Sequence, residues 1–139
     1  MAVTYSRVLL KVSGEALSGS KGAGFDEATI ASICAGIRKA HDLGTQIAIV
    51  VGGGNFWRGR SSGRMDRMDA DKIGMLATVM NAIAVKDALR QAGVPAVVMT
   101  GIVMPQVAEV FTSDKAIRAL EQGTVVVFAD SDFLHDSFC

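Results

Sequence analysis

Three consecutive glycines followed by an arginine are the residues of this chain best suited to chemistry. The glycines, Gly52–Gly54, come directly after the apolar run Ile47–Val51, and Arg58 follows four residues after the last of them. Glycine removes Cβ atoms and permits positive φ, so we expect backbone N–H groups here to approach a ligand closely. Arginine offers forked donors that suit phosphate. The pattern predicts an anion site at the carboxyl end of a sheet; the alternative is a tight strand-to-helix connection without a ligand.

A lysine near the end of another apolar run is the second candidate for phosphate chemistry. The run Val8–Val12 predicts a strand, and Ser13 and Gly14 form a turn behind Lys11. Such a turn places one ammonium group beside backbone N–H groups. The alternative is a solvated lysine at an ordinary turn.

Composition limits the class of protein. The chain has 139 residues, enough for one domain with a core or for part of a larger one, and 14 basic residues balance 14 acidic ones. This balance gives no global charge that favours nucleic acid or a membrane surface. The two cysteines lack paired spacing, and Cys34 lies among isoleucines, so we interpret it as a buried hydrophobe in a reducing compartment. Without an apolar signal region or a membrane-spanning run, the expected location is the cytoplasm.

Helices and strands alternate along the chain. A helix is predicted from the N-cap Asp26 to about Leu43, and a longer one over Ala70–Gln91. The longer helix has apolar residues at helical spacing that we expect to face the core: Ile73, Leu76, Met80, Ile83 and Ala84. The segment Gly19–Gly24 follows no strand, so we interpret it as a mobile surface loop.

The remaining elements complete a repeating pattern. The predictions are strands at Val8–Val12, Ile47–Val51, Ala96–Met99 and Thr124–Phe128, a turn or short helix at Met104–Glu109, and a helix at Asp114–Gln122 capped by Ser113. The order β-α-β-α-β-α-β predicts an α/β fold with a mostly parallel sheet sandwiched by helices.

Four segments together resemble bacterial uridylate kinases (UMP kinases) of the amino acid kinase superfamily. They are Leu10–Glu15, Val51–Asn55 with Arg58 and Gly59, Asp71–Thr78, and Met104–Val107. The lysine and glycine turns are shared across the superfamily, whereas the last two segments are more specific to UMP kinases. The resemblance spans about residues 7–128.

The resemblance implies transfer of the γ-phosphoryl group of ATP to UMP, giving UDP in pyrimidine nucleotide biosynthesis. It implies Mg²⁺ bound with ATP, no metal ligand from the residues singled out above, and no covalent intermediate. Catalysis would rest on alignment and charge neutralisation. The family forms homohexamers, with GTP as an activator and UTP as an inhibitor.

Residue roles follow from the same resemblance. The implied catalytic residues are Lys11 and Arg58. The residues implied to bind ATP are Lys11, Val12, Ser13, Gly14, Gly54 and Arg58. Gly53 and Asp71 are implied to bind UMP, although a helix dipole alone would explain an acid at the position of Asp71. The segment linked in the family to GTP activation comprises Gly19, Ser20, Lys21, Gly22, Ala23 and Gly24.

The last eleven residues, 129–139, depart from the family pattern. In the family, the strand ending near Phe128 continues into a UMP-binding loop and a C-terminal half with the adenine pocket. We therefore divide the chain into a UMP- and phosphate-binding part, 1–128, and a divergent tail, 129–139, and hypothesise that a frameshift replaced the continuation.

Such a chain is expected to be poorly active alone and marginally stable, with its last strand at an unprotected sheet edge. One alternative is a non-catalytic fragment that binds nucleotides or forms oligomers. The other is a sister kinase of the same superfamily.

Overall fold

The computed structural model describes residues 6–57 and 64–129. The strands within these residues are β1 (Arg7–Val12), β2 (Gln46–Val51), β3 (Ala96–Thr100), β4 (Glu109–Val110) and β5 (Val125–Phe128). The helices there are α1 (Gly14–Ser18), α2 (Glu27–Asp42), α3 (Arg67–Gln91) and α4 (Ser113–Glu121), and Gly19–Lys21 forms a short 3₁₀ helix. No helix in these two ranges is long and apolar enough to cross a membrane.

The described strands form one parallel sheet in the order β1-β2-β5-β3-β4. The interior strands β2 and β5 are continuously apolar apart from Gln46, as parallel strands covered on both faces usually are. The predicted α/β fold with a parallel sheet between helices is confirmed. The expectation that the last strand lies at an exposed edge is wrong, because β5 lies between β2 and β3 and pairs with both.

Two apolar layers cover the two faces of the sheet. Helices α2 and α3 pack over the face that carries Ile49 and Val127. Helix α4 packs over the other face, where Leu120 clusters with Phe128. Cys34 of α2 lies in the first layer and is 1% exposed, and burial raises the pKa of its thiol to about 11. Its interpretation as a buried hydrophobe is confirmed.

Asp26 caps α2 as predicted. Its carboxylate accepts a hydrogen bond from the hydroxyl of Thr29 and another, at 3.2 Å, from the backbone N–H of Thr29. The hydroxyl bond is the largest cause that lowers the pKa of Asp26; the N–H bond and the positive charge of Lys21 act in the same direction, against the effect of burial. The charged carboxylate is therefore the form that the folded chain favours.

Replacement of Asp26 with asparagine is expected to lower the thermal midpoint at pH 7. Because the pKa of Asp26 is lower in the folded chain, its carboxylate stabilises the fold at pH values above the unfolded-state pKa of about 4. This contribution is lost as the pH falls through the folded-state pKa. The midpoints of the parent chain and Asp26→Asn should therefore converge as the pH is lowered from neutrality through the folded-state pKa. An equal difference between them at both ends of this range would contradict the assignment.

Helix α3 begins at Arg67, three residues before the predicted start at Ala70. The acidic residue in its first turn is Asp69. Asp71 lies beyond that turn. The helix dipole acts mainly within the first turn, so it is a weaker explanation for an acidic residue at position 71 than it would be for a helix that begins at Ala70.

The prediction of which face of α3 contacts the core is largely wrong. Ile73, Leu76 and Met80 are 36%, 47% and 45% exposed, while Ile83 and Ala84 are half-buried. The buried positions of α3 are Ala70, Ala77, Val79, Asn81, Ala82, Val85 and Leu89. Alanines form much of this buried face, which lets the helix lie close to the sheet. The larger residues Ile73, Leu76 and Met80 form a separate row, the exposed α3 stripe.

Smaller differences occur at three places. Helix α4 is capped by Thr112 rather than Ser113, because the hydroxyl of Thr112 accepts a backbone hydrogen bond at 3.1 Å. The segment Gly19–Gly24 is not wholly irregular, since it begins with the 3₁₀ helix Gly19–Lys21. The predicted turn near Met104–Glu109 is present, and the two-residue strand β4 follows it.

Candidate functional site

The predicted phosphate-binding segments lie side by side at one edge of the sheet. Strands β1 and β2 are parallel neighbours with Val12 paired to Val51, so the segments that follow them leave the sheet at the same edge. The backbone N–H of Gly52 donates to the carbonyl of Val12 at 3.0 Å. The structure thus brings Lys11–Gly14 next to Gly52–Gly54, which we call the glycine turn.

The two segments touch through their backbones. A Cβ built on Gly14 would lie 2.5 Å from the backbone nitrogen of Gly54 and 2.9 Å from that of Asn55. A Cβ built on Gly54 would overlap the carboxylate of Glu15, with 1.5 Å to Oε1. The backbone contacts require glycine at position 14, whereas a Cβ at position 54 would only displace the flexible side chain of Glu15. No glycine of the glycine turn has a positive φ, so the expected role for left-handed backbone at this turn is wrong.

Helix α3 closes the other side of the glycine turn. A Cβ built on Gly53 would lie 2.9 Å from the Cβ of Ala77 and 3.1 Å from the carbonyl oxygen of Gly74. Asp71 is exposed and lies three residues before Gly74, so the two share one face of α3. This spacing places Asp71 one helical turn from the contact with Gly53.

A cavity of about 610 Å³ opens beside Lys11. Its lining residues are Lys11, Val12, Ser13, Ala16, Ile33, Val50, Val51 and Gly52. The volume lies within the range of about 300–1,000 Å³ that is typical of small-molecule sites. Lys11 adds a positive charge to the wall, and Ser13 caps α1 by accepting a hydrogen bond from the N–H of Ala16 at 3.2 Å. Most of the other lining residues are apolar, so it is the lysine end of the cavity that suits an anionic group.

The segment Gly19–Gly24 is attached to the end of the glycine turn. The backbone N–H of Gly24 donates to the carbonyl of Asn55 at 3.1 Å, and the side-chain Nδ2 of Asn55 donates to the carbonyl of Gly24 at 2.9 Å. Gly19, Gly22 and Gly24 all have positive φ, which gives the segment its tight turns. Ser20, Lys21 and Ala23 are exposed along it.

Reasoning from the sequence missed two site residues, Asn55 and Asn81. Both are buried, at 3% and 0% exposure, and their side-chain amides contact each other. One signal was present: Asn81 is four residues from Ala77 and four from Val85, in the middle of the buried face of α3. A polar side chain at such a position needs a buried hydrogen-bond partner.

Arg58, predicted as the second phosphate-binding cation, lies outside the described residues. Within residues 6–57 and 64–129, no group of three or more histidine, cysteine, aspartate or glutamate side chains is placed to hold a metal ion. A Mg²⁺ ion that takes most of its ligands from water and substrate phosphates needs no such cluster.

Comparison with known proteins agrees with this geometry. The uridylate kinases of Pediococcus pentosaceus and Limosilactobacillus reuteri are 52% and 51% identical to the chain over 129 residues, covering 91% of the chain and 54% of each relative. The chain thus spans about half the length of the curated relatives it matches. The predicted resemblance to uridylate kinases is confirmed.

Solved structures give the same result. The crystal structure of a UMP kinase from Bacillus anthracis superposes with a TM-score of 0.84 at 36% identity, covering 89% of the chain and 52% of that protein. The UMP kinase from Ureaplasma parvum superposes with a TM-score of 0.82 at 30% identity, covering 89% and 55%. Residues 6–136 match the sequence model of the amino acid kinase family. The chain therefore belongs to the amino acid kinase family.

Proposed function

We propose that this chain is the UMP- and phosphate-binding part of a UMP kinase, which transfers the γ-phosphoryl group of ATP to UMP. The observation that carries the proposal is the contact between Lys11–Gly14 and the glycine turn beside a cavity with a cationic wall. The uridylate kinases that are 52% and 51% identical to the chain support UMP as the acceptor.

The reaction forms a bond between a UMP phosphate oxygen and the γ-phosphorus of ATP. It breaks the bond from that phosphorus to the oxygen shared with the β-phosphate, and ADP leaves with the electron pair. Because no protein group is transferred, the residues act by positioning and by charge. The ammonium of Lys11 would neutralise the γ-phosphoryl oxygens, and Val12, Ser13 and Gly14 would contact the ATP phosphates.

The glycine turn would lie between the donor and the acceptor. Gly54, in contact with the segment after β1, would face ATP, and Gly53, in contact with α3, would face UMP. Asp71, one helical turn from the contact between Gly53 and α3, would accept hydrogen bonds from the ribose of UMP. Arg58 would supply the second positive charge.

Mg²⁺ would arrive with the ATP phosphates. The resemblance to UMP kinases implies this ion, which usually takes several of its ligands from water and substrate phosphates. Its chemistry when bound is charge neutralisation at the phosphates, and the described residues act on nucleotide groups alone.

Assembly and regulation extend the same proposal. We expect the protein to form a homohexamer and to act in pyrimidine nucleotide biosynthesis in the cytoplasm. We expect GTP to activate it and UTP to inhibit it. The exposed α3 stripe supports an interface, because an apolar row on a helix is commonly covered by a partner. The hydrogen bonds between Gly24 and Asn55 support a route from the proposed GTP segment Gly19–Gly24 to the glycine turn.

Formation of UDP from UMP and ATP-Mg²⁺ by the purified chain tests the proposal. Lys11→Ala, purified identically, controls for contaminating kinase, and its kcat is expected to fall by about 100-fold or more. Carbamate and amino acid acceptors, offered in place of UMP, test the sister-kinase alternative.

Binding separates the remaining outcomes. Trp57 is the single tryptophan of the chain, and its backbone N–H donates to the carbonyl of Gly53 at 3.0 Å, so its emission should respond to UMP. UMP binding without turnover would favour the non-catalytic alternative. The absence of both UMP binding and UDP formation would overturn the proposal.

A further inference from the structure

A buried amide pair beneath the glycine turn has no part in the phosphoryl transfer proposed above. Asn55 follows the turn and Asn81 lies in α3. Nδ2 of Asn55 donates to Oδ1 of Asn81 at 3.0 Å, and Nδ2 of Asn81 donates to Oδ1 of Asn55 at 2.7 Å. The two side chains therefore form a reciprocal pair between elements that are distant in sequence.

Each amide also binds the backbone of the site. Nδ2 of Asn81 donates to the carbonyl of Gly52 at 2.5 Å, and Nδ2 of Asn55 donates to the carbonyl of Gly24 at 2.9 Å. An asparagine NH₂ group has two donors, so all four donors of the pair are used. A buried polar network with every donor satisfied holds its members in one arrangement.

We propose that Asn55 and Asn81 are positioning residues that fix the glycine turn between α3 and the segment after β1. The inference rests on the proposed function, since it is UMP and the phosphates that the turn would position. Asn81 holds the first residue of the turn through the carbonyl of Gly52. Asn55, the residue after the turn, is itself held by its side-chain hydrogen bonds to Asn81 and Gly24. The turn is thus anchored at both ends, and neither anchor touches the cavity itself.

The spacing at Gly14 shows why such anchoring matters. The position of a Cβ on Gly14 is 2.7 Å from Oδ1 of Asn55 and 2.5 Å from the nitrogen of Gly54. The amide pair therefore lies directly against the close contact of the two segments. Misplacement of a reacting group by about 1 Å can lower a rate by about 100-fold, so a small movement of the turn would be costly.

The test compares Asn81→Ala with Val85→Ala. Val85 lies one helical turn further along the buried face of α3, is 1% exposed, belongs to the apolar core and makes no hydrogen bond of the amide pair. Both changes remove a buried side chain and should lower the thermal midpoint. Only Asn81→Ala is expected to raise the Kd for UMP, measured by Trp57 emission, by about ten-fold or more.

A second variant separates hydrogen bonding from volume. Asn81→Asp keeps the size of the side chain and the acceptor for Asn55, but it cannot donate to Gly52 when ionised. We expect it to weaken UMP binding as much as Asn81→Ala does at pH 7. An equal rise in Kd for Val85→Ala, or no rise for Asn81→Asp, would overturn the inference.

Amide exchange in the absence of nucleotide keeps this result separate from the proposed function. The Gly24 N–H, which donates to the Asn55 carbonyl, should exchange faster in Asn81→Ala than in Val85→Ala. If the parent chain binds no UMP, the proposed function fails, whereas faster exchange still supports the anchoring of the turn. Equal exchange in the two variants would overturn the anchoring.

Discussion

Replacement of Gly14 with alanine is expected to abolish UMP and ATP binding and to lower the free energy of unfolding by about 3 kcal/mol, the upper part of the range for overpacked sites. The new Cβ would lie 2.5 Å from the backbone nitrogen of Gly54 and 2.9 Å from that of Asn55. These are main-chain atoms of the segment that follows β2, so they cannot turn aside as a flexible side chain would. Denaturant unfolding of the parent chain and Gly14→Ala measures the difference.

Gly36→Ala is the matched control. Gly36 lies in α2, is exposed, and a Cβ built on it meets nothing within 4 Å. Alanine is the better helix former, so this variant should gain about 0.5–1 kcal/mol. If Gly14→Ala proved as stable as Gly36→Ala and still bound UMP, the two segments would not be in the close contact described above.

Replacement of Phe128 with alanine is expected to cost about 3–5 kcal/mol of unfolding free energy, the usual cost for a buried phenylalanine. Phe128 is 1% exposed in β5, and its ring meets Phe111 edge-to-face with centroids 5.3 Å apart. Small domains have about 5–15 kcal/mol in total, so much of the folded population would be lost at moderate temperature. Thermal unfolding followed by circular dichroism gives the measurement.

The control for ring removal is Phe56→Ala. Phe56 also makes an edge-to-face contact, with Phe25 at 5.2 Å, but it is 40% exposed. The loss should therefore be clearly smaller than for Phe128→Ala. Equal losses would mean that the layer between α4 and the sheet is not packed as described.

Local signals in the sequence predicted much of the fold. The apolar run at β2 and the glycines after it located the site, because continuous apolar strands and glycine turns are determined within a few residues. The cap at Asp26 was also predicted, since capping depends on a side chain and an N–H three residues away. Signals of this kind require no knowledge of which elements pack together.

Features that depend on packing between distant elements were missed. The pattern of Ile73, Leu76 and Met80 identified a helix but not which of its faces is buried, because Ala77 and Gly74 pack against the glycine turn by being small. Strand β4 has only two residues, too few for a period to be detected. The pairing of Asn55 with Asn81 depends on a fold that neither residue determines locally.

The position of β5 has a consequence for how the chain is made. Among the described strands β5 is the last to be synthesised, yet it occupies the middle of the sheet. Until it leaves the ribosome, which adds about 5–20 residues per second, β2 and β3 expose the unpaired backbone N–H and C=O groups that β5 will later bind. Nascent chains on one message therefore carry matching open edges at the same time, so pairing between these chains is a hazard until β5 emerges.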